Sequence, residues 1–207
     1  MRGTKATFRT TRSHSSLAFL NAVRLVKRVL RRVRAAMRAN EALALQGECC
    51  RLVPYCPHHV PAYHEWMQDP AMLEATASEP LTLAQEYAMC SSWREDDDKC
   101  TFIVEVDGVP VGDVNLFLND PDDSKAAEIE VMVAVESARR RGVAADALRM
   151  LQSWACGRLG LRTFRAKVGH ANAPSLALFH KLGYALVSSS AVFEEVCAFT
   201  ARRFPNV

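Results

Sequence analysis

Hydrophobic and polar positions alternate with two different periods along this chain, and each change of period marks an element. After Glu128, the residues Ile129, Val131, Val133 and Val135 stand at every second position, the spacing of a strand with one apolar face. From Ala147 the apolar residues Leu148, Leu151 and Trp154 follow at helical spacing. The same reading predicts strands over residues 50–55, 100–106, 111–118, 163–168 and 192–204, and helices over residues 60–68 and 83–93. Asp107 and Gly108 read as a hairpin turn, and residues 119–124 as a polar loop. Asn172 caps a further helix, Pro174 suits its first turn, and Gly183 ends it.

Between the central strand and its helix lie Arg139, Arg140, Arg141 and Gly142. A helix start leaves backbone N–H groups unpaired and partly positive, which suits phosphate oxygens. Gly142 lacks a Cβ and lets a ligand approach the main chain, and the arginines add charge that a pyrophosphate can use. The lysine and hydroxyl of a P-loop are absent, as is the glycine trio of a dinucleotide fold.

What remains, Arg139-x-x-Gly142-x-Ala144, resembles the pyrophosphate turn of the GCN5-related N-acetyltransferase (GNAT) superfamily. The segment from Asn172 to Ser175, followed by Leu182-Gly183-Tyr184, resembles that superfamily's second motif. Longer strings are similar to the N-acetyltransferase-9 subfamily, whose animal members are described as alpha/beta-tubulin N-acetyltransferases. They include Arg51-Leu-Val-Pro-Tyr55, Tyr63-His-Glu-Trp-Met67, Gly112-Asp-Val-Asn-Leu-Phe-Leu118 and Glu128-Ile-Glu-Val-Met132.

The resemblance implies an α/β (α+β) GNAT fold: a mixed, mostly antiparallel sheet, splayed where acetyl-CoA enters, with helices on both faces. It implies acetyl-CoA as cosubstrate and transfer of an acetyl group to a protein amine, in particular a protein N-terminus of tubulin type. It seats the pantetheine and thioester on the backbone of Met132, Val133 and Ala134, and the pyrophosphate on Arg139, Arg140, Arg141, Gly142, Val143, Ala144 and Ala145. Asn172 and Ser175 flank the pantetheine arm in this reading. Ribosomal-protein N-termini or a small amine are the alternative acceptors, and a catalytically degenerate scaffold is the alternative class.

Amine acetylation needs a proton acceptor and a donor to the oxyanion. Glu128 and Glu130 leave one face of the strand while the apolar residues leave the other. Glu128, fourteen residues before Gly142, stands where superfamily histone acetyltransferases place their general base, and Glu130 is the second candidate. Phe179 occupies the place where many relatives carry an acid tyrosine, leaving His170, His180, Tyr184 or water. Arg140 stands where the family often has glycine, so a positive φ there would cost about 1 kcal/mol or more.

Composition narrows the rest. With 207 residues and 49% hydrophobic content the chain can build one sizeable core, and no apolar run approaches the ~20 residues of a membrane span. Seven cysteines without paired spacing point to reduced thiols and a cytoplasmic setting. Cys49, Cys50, Cys56, His58 and His59 crowd together, but their spacing matches no ordinary zinc finger, and no metal is expected.

The net charge of +3 hides a division: residues 1–40 hold eleven Lys/Arg and no acid, whereas the remainder holds fifteen basic and twenty-three acidic residues. The basic tract lacks interleaved aromatics, so nucleic acid is not an expected partner. Its amphipathic, acid-poor composition is that of a mitochondrial or plastid presequence, or of a helix binding an acidic surface. Met37 and the residues after it resemble the start of subfamily proteins, so residues 1–36 are read as an extension and residues 37–207 as the domain.

Overall fold

The predicted strands pair into a single sheet in the computed structural model, which describes residues 40–190 and 195–201. In chain order they are β1 (Leu45–Gln46), β2 (Arg51–Pro54), β3 (Lys99–Val106), β4 (Val109–Phe117), β5 (Ala126–Val133), β6 (Thr163–Gly169), β7 (Ala185–Ser190) and β8 (Glu195–Ala201). They lie in the order β1-β2-β3-β4-β5-β6-β8-β7, and every neighbouring pair is antiparallel except β5 with β6. The mostly antiparallel sheet of the sequence reading is therefore observed. β1 and β7 were not anticipated. Of the last expected strand, Glu195–Ala201 is seen, and the rest of residues 192–204 falls outside the described residues, as does the basic tract of residues 1–36.

The β3–β4 hairpin turns at Asp107 and Gly108, both with positive φ (53° and 76°), as a two-residue hairpin loop requires. Helices cover both faces. Helix α1 (Val60–Trp66), α2 (Pro70–Ala75) and α3 (Leu83–Glu95) precede the hairpin; α4 (Val143–Trp154) follows β5, and α5 (Ala173–Lys181) follows β6. α2 escaped prediction, because six residues are too few for a helical period to register. Asp69 and Pro70 start it, the Asp69 carboxylate accepting the Ala71 N–H at 3.0 Å. Thr82 and Gln85 form the capping box that opens α3.

Strand alternation sends Phe102, Val104, Val114, Leu116, Ile129 and Phe164 to one face, where they pack with Leu148 and Leu151 of α4 and Phe179 of α5. The opposite face supplies Ile103 and Met132 to a smaller core with Tyr63 of α1, Met72 of α2 and Cys90 of α3. The first core holds the fold. The second roofs the face from which Glu128 and Glu130 emerge.

A single carboxylate fastens the β1–β2 turn to α4. Asp146 accepts the N–H groups of Cys49 (2.9 Å) and Cys50 (3.3 Å) and the Cys50 thiol (3.5 Å). Burial works against its charge, yet these hydrogen bonds prevail and hold its carboxyl below the ordinary value of 3.8. A depressed carboxylate stabilises the fold above its unfolded-state pKa, and that contribution fades as pH falls through the folded value. Asp146→Ala, which orphans two amides, is expected to cost about 1–3 kcal/mol at pH 7. Urea unfolding at pH 7 and pH 3 should show the gap between variant and wild type narrowing at the acid end; a constant gap would deny the carboxylate this role.

Candidate active site

β5 and β6 are partners for only three steps: Ala126 with Thr163, Ala127 with Phe164, and Glu128 with Arg165. Beyond Glu128 each strand continues against its other neighbour, β5 on β4 as far as Val133 and β6 on β8 as far as Gly169. Their facing edges therefore diverge into a wedge lined by backbone groups without ladder partners, which must find them in solvent or in a ligand.

The far end of β5 is shaped by a bulge. Ala134 and Val135 both donate to the carbonyl of Val111, at 2.8 and 3.2 Å. Neither amide is available to a ligand, whereas alternation along the strand turns the Val133 N–H to the wedge side. Gly112 faces Val133 across the ladder, and a Cβ there would lie 2.0 Å from the Met132 carbonyl oxygen. Only glycine permits this approach.

Arg139 reaches back to the same strand end. Its Nε donates to Val133 O at 2.8 Å and its Nη2 to Ala134 O at 2.9 Å, with Met72 Sδ 3.7 Å away. Its guanidinium thus braces β5, leaving Arg140 and Arg141 as exposed cations of the turn. Gly142 opens α4 with φ +86° and no side chain to cap the first-turn amides of Val143, Ala144 and Ala145. These unpaired N–H groups and the two arginines give the helix start beside the wedge a positive character suited to an anion. Arg140 adopts φ +60°, the strained conformation that its side chain made costly.

The two carboxylates of β5 have different surroundings. Glu128 stands at the last paired step, where its Oε2 takes Lys167 Nζ at 3.3 Å and Asn119 Nδ2 at 3.3 Å. Glu130, two residues further, is the first acid inside the wedge and is open to solvent. The cleft walls nevertheless crowd it, and this loss of hydration raises its carboxyl above the ordinary value. Asp113 and Glu128 add to the rise, while Lys99 and Lys167 oppose it.

Next to Glu130 lies a buried polar network that the sequence reading did not single out. Thr101 Oγ1 donates to Asn115 Oδ1 (2.6 Å), Asn115 Nδ2 donates to Asp113 Oδ2 (3.0 Å), and the Tyr63 hydroxyl donates to the same oxygen (3.3 Å). Asn115 pairs with Glu130 across the ladder, and Asp113 with Met132. Lys99 lies on the same face with its Nζ 3.1 Å from the centre of the Trp93 ring and 4.7 Å from that of Phe117. Burial pushes Lys99 down to about 8, although Asp113, Glu130 and Asp96 resist.

On the opposite wall, Asn172 caps α5 as expected, its Oδ1 accepting the Ser175 N–H at 3.1 Å. Phe179 is buried against the ring of Tyr184, whose hydroxyl accepts from Gln152 Nε2 inside the main core. His170 and His180 are exposed. The cysteine–histidine crowding divides in two: Cys56 with His58 and His59, and Cys49 and Cys50 with Asp146. Arg94 Nη1 lies 3.0 Å from the Cys56 sulfur, and the Cys56 N–H donates to His59 Nδ1 at 3.1 Å. Cys49, Cys50, Cys56, Cys90, Cys100 and Cys156 are free thiols.

Known proteins share this arrangement. Residues 50–185 match the family model described as acetyltransferase (GNAT) domain. An N-acetyltransferase 9-like protein of Nematostella vectensis is 48% identical over 184 residues, covering 83% of this chain and 92% of that protein. The human alpha/beta-tubulin-N-acetyltransferase 9 is 47% identical over 173 residues, covering 77% of this chain and 84% of that one. Among solved structures, RimJ of Mycobacterium smegmatis in complex with CoA-disulfide superposes with TM-score 0.66 at 20% identity, covering 76% of this chain and 86% of that one. A structure of RimL, a ribosomal alpha-N-protein acetyltransferase, superposes with TM-score 0.67 at 16% identity, covering 77% and 93%. The wedge in the sheet, the uncapped helix at its mouth and these likenesses together identify the chain as an N-acetyltransferase that belongs to the GNAT family and is closely similar to the N-acetyltransferase 9 proteins.

Proposed function

We propose that this enzyme uses acetyl-CoA to acetylate the N-terminal α-amine of a protein, and that the acceptor is of tubulin type. The observation that carries the reading is the wedge between β5 and β6, with the uncapped start of α4 at its mouth and the carboxylate of Glu130 on its wall. A linear thioester fits such a gap, and a main chain without ladder partners can hold its amides. The names of the human relative and of RimL support a protein acceptor, and tubulin in the first case.

In this reading the amides of Gly142, Val143, Ala144 and Ala145, with Arg140 and Arg141, hold the pyrophosphate. Arg139 acts one step removed, by bracing Val133 and Ala134. Asn172 and Ser175 border the pantetheine arm from α5, and Met132 lines the floor. Acetyl-CoA supplies the activated acyl group. The Val133 N–H is the oxyanion donor, because Ala134 and Val135 are committed to Val111. Glu130 and Glu128 are the candidate bases, and the ion pair with Lys167 leaves Glu130 the freer of the two.

Residues 37–207 form the catalytic domain in this proposal, with residues 1–36 an extension, and the enzyme works in the cytoplasm. The free thiols support that setting, and no helix among the described residues is long and apolar enough to cross a membrane. Calorimetry of the full chain with acetyl-CoA is expected to give micromolar affinity, abolished in an Arg141→Glu, Gly142→Trp double variant. Acetylation of N-terminal tubulin peptides should follow in a direct assay. No binding by the folded wild type would overturn the proposal.

A further inference from the structure

We propose that Lys99 and Asp113 are the positioning pair for Glu130: from the buried interface between the sheet and helices α1 and α3, their opposite charges decide when Glu130 can take the acceptor's proton. The inference rests on the acetyltransferase reading above and extends it to residues outside the cofactor and acceptor contacts.

Lys99, Asp113 and Glu130 sit on three adjacent strands and leave the same face, since Lys99 is in register with Phe117, Asn115 with Glu130 and Asp113 with Met132. Lys99 and Asp113 are buried, 8% and 2% exposed, while Glu130 opens to the wedge. Burying a charge is costly unless it is paired or hydrogen-bonded, so two such side chains with no part in the main core require a reason.

Each is held firmly. Trp93 and Phe117 flank the ammonium, and Tyr63 and Asn115 donate to the carboxylate. Asn115 is itself oriented by Thr101. The roof above contributes one further acid, Glu86 of α3, which is buried and 3.9 Å from His64.

The charges facing Glu130 are Lys99 from β3, Asp113 from β4, Glu128 from its own strand and Lys167 from β6. Lys167 is engaged by Glu128. That leaves Lys99 and Asp113 as the opposed pair acting on Glu130. Lys99, at about 8, still carries its charge at neutral pH. Burial raises the Asp113 carboxyl, and the Asn115 hydrogen bond, the Lys99 charge and the Tyr63 hydrogen bond oppose that rise by favouring its ionised form. The step they govern is a simple transfer: the acceptor ammonium loses one N–H proton to the Glu130 carboxylate, which becomes a carboxyl, and the amine is left neutral with its lone pair free to attack.

The two partners act on Glu130 in opposite directions. Lys99→Met removes a positive charge and should move the Glu130 midpoint up; Asp113→Asn removes a negative charge and should move it down, each by about one pH unit. Carbon-13 carboxyl NMR of Glu130 in the full chain without acceptor reads this directly. The acid limb of kcat/KM, measured with acetyl-CoA and an N-terminal peptide, should move by the same amounts. Where Asp113→Asn does not fold, Tyr63→Phe replaces it and should give a smaller downward shift.

Opposite shifts in both measurements establish the pair. Shifts of the same sign, or unfolding temperatures that fall while the midpoint stays fixed, would reduce Lys99 and Asp113 to structural roles and overturn the proposal. Opposite NMR shifts with an unmoved acid limb would overturn it as well, by showing that the proton goes elsewhere. A wild-type enzyme without acetyl transfer would instead overturn the functional reading, and the NMR titration separates the two failures.

Discussion

Glu130→Gln is expected to lower kcat about 100-fold or more while leaving acetyl-CoA affinity within about twofold, the range for losing a general base. The amide matches the carboxylate in shape but cannot take a proton, and the proposed cofactor contacts lie on other residues of β5 and on α4. Glu128→Gln should cost much less. Its carboxylate already serves Lys167 and Asn119, at the step where β5 and β6 are still joined. Steady-state kinetics with a tubulin N-terminal peptide decide between them. A larger loss in Glu128→Gln would move the base to the closed end of the wedge.

The largest effect on stability is expected at Gly112. A Cβ at this position would meet the Met132 carbonyl oxygen at 2.0 Å, the Met132 carbonyl carbon at 2.9 Å and Val133 Cα at 3.0 Å. All three obstacles are main chain, so no side-chain rotation can relieve them. Gly112→Ala should therefore cost about 3 kcal/mol or more, at or above the upper end of ordinary overpacking, which lowers Tm by roughly 6–12 °C in a domain of this size.

Gly142→Ala offers the contrast. A Cβ there meets nothing within 4 Å, so only its left-handed φ of +86° is strained, a cost of about 1–2 kcal/mol. Thermal unfolding of both variants, with and without acetyl-CoA, checks the pair. Equal losses would mean that the bulge at the end of β5 can relax, and that the strand end at Val133 is softer than its hydrogen bonds suggest.

Much of the architecture was legible because it follows from local periodicity. Ile129 and Val131 pack on one face of β5 while Glu128 and Glu130 leave the other, as their alternation requires. Asn172 caps α5 and Asp107-Gly108 turns the hairpin for reasons contained in a few adjacent residues. α2 and the strands β1 and β7 were missed because two to six residues carry too little pattern to stand out.

The buried network was missed for another reason. Asp113 and Asn115 occupy alternate positions in a strand whose Val114 and Leu116 point the other way, which reads as an ordinary solvated face. Tyr63, fifty residues earlier, closes over them only once α1 packs on the sheet.

Local pattern and motif spacing were enough for the longer strands and helices, the helix start at Gly142, the family and the pair of acids on β5, since each depends on neighbours in the chain. Only the folded arrangement shows that Glu128 pairs with Lys167 while Glu130 stands further along the wedge, which amide faces the wedge, and that Arg139 braces the strand end while its neighbours remain at the turn. Those outcomes depend on the three-step pairing of β5 with β6 and on the bulge opposite Val111. A side chain's partner across a sheet is set by register, and its hydration by whatever packs above it; neither quantity is local in sequence.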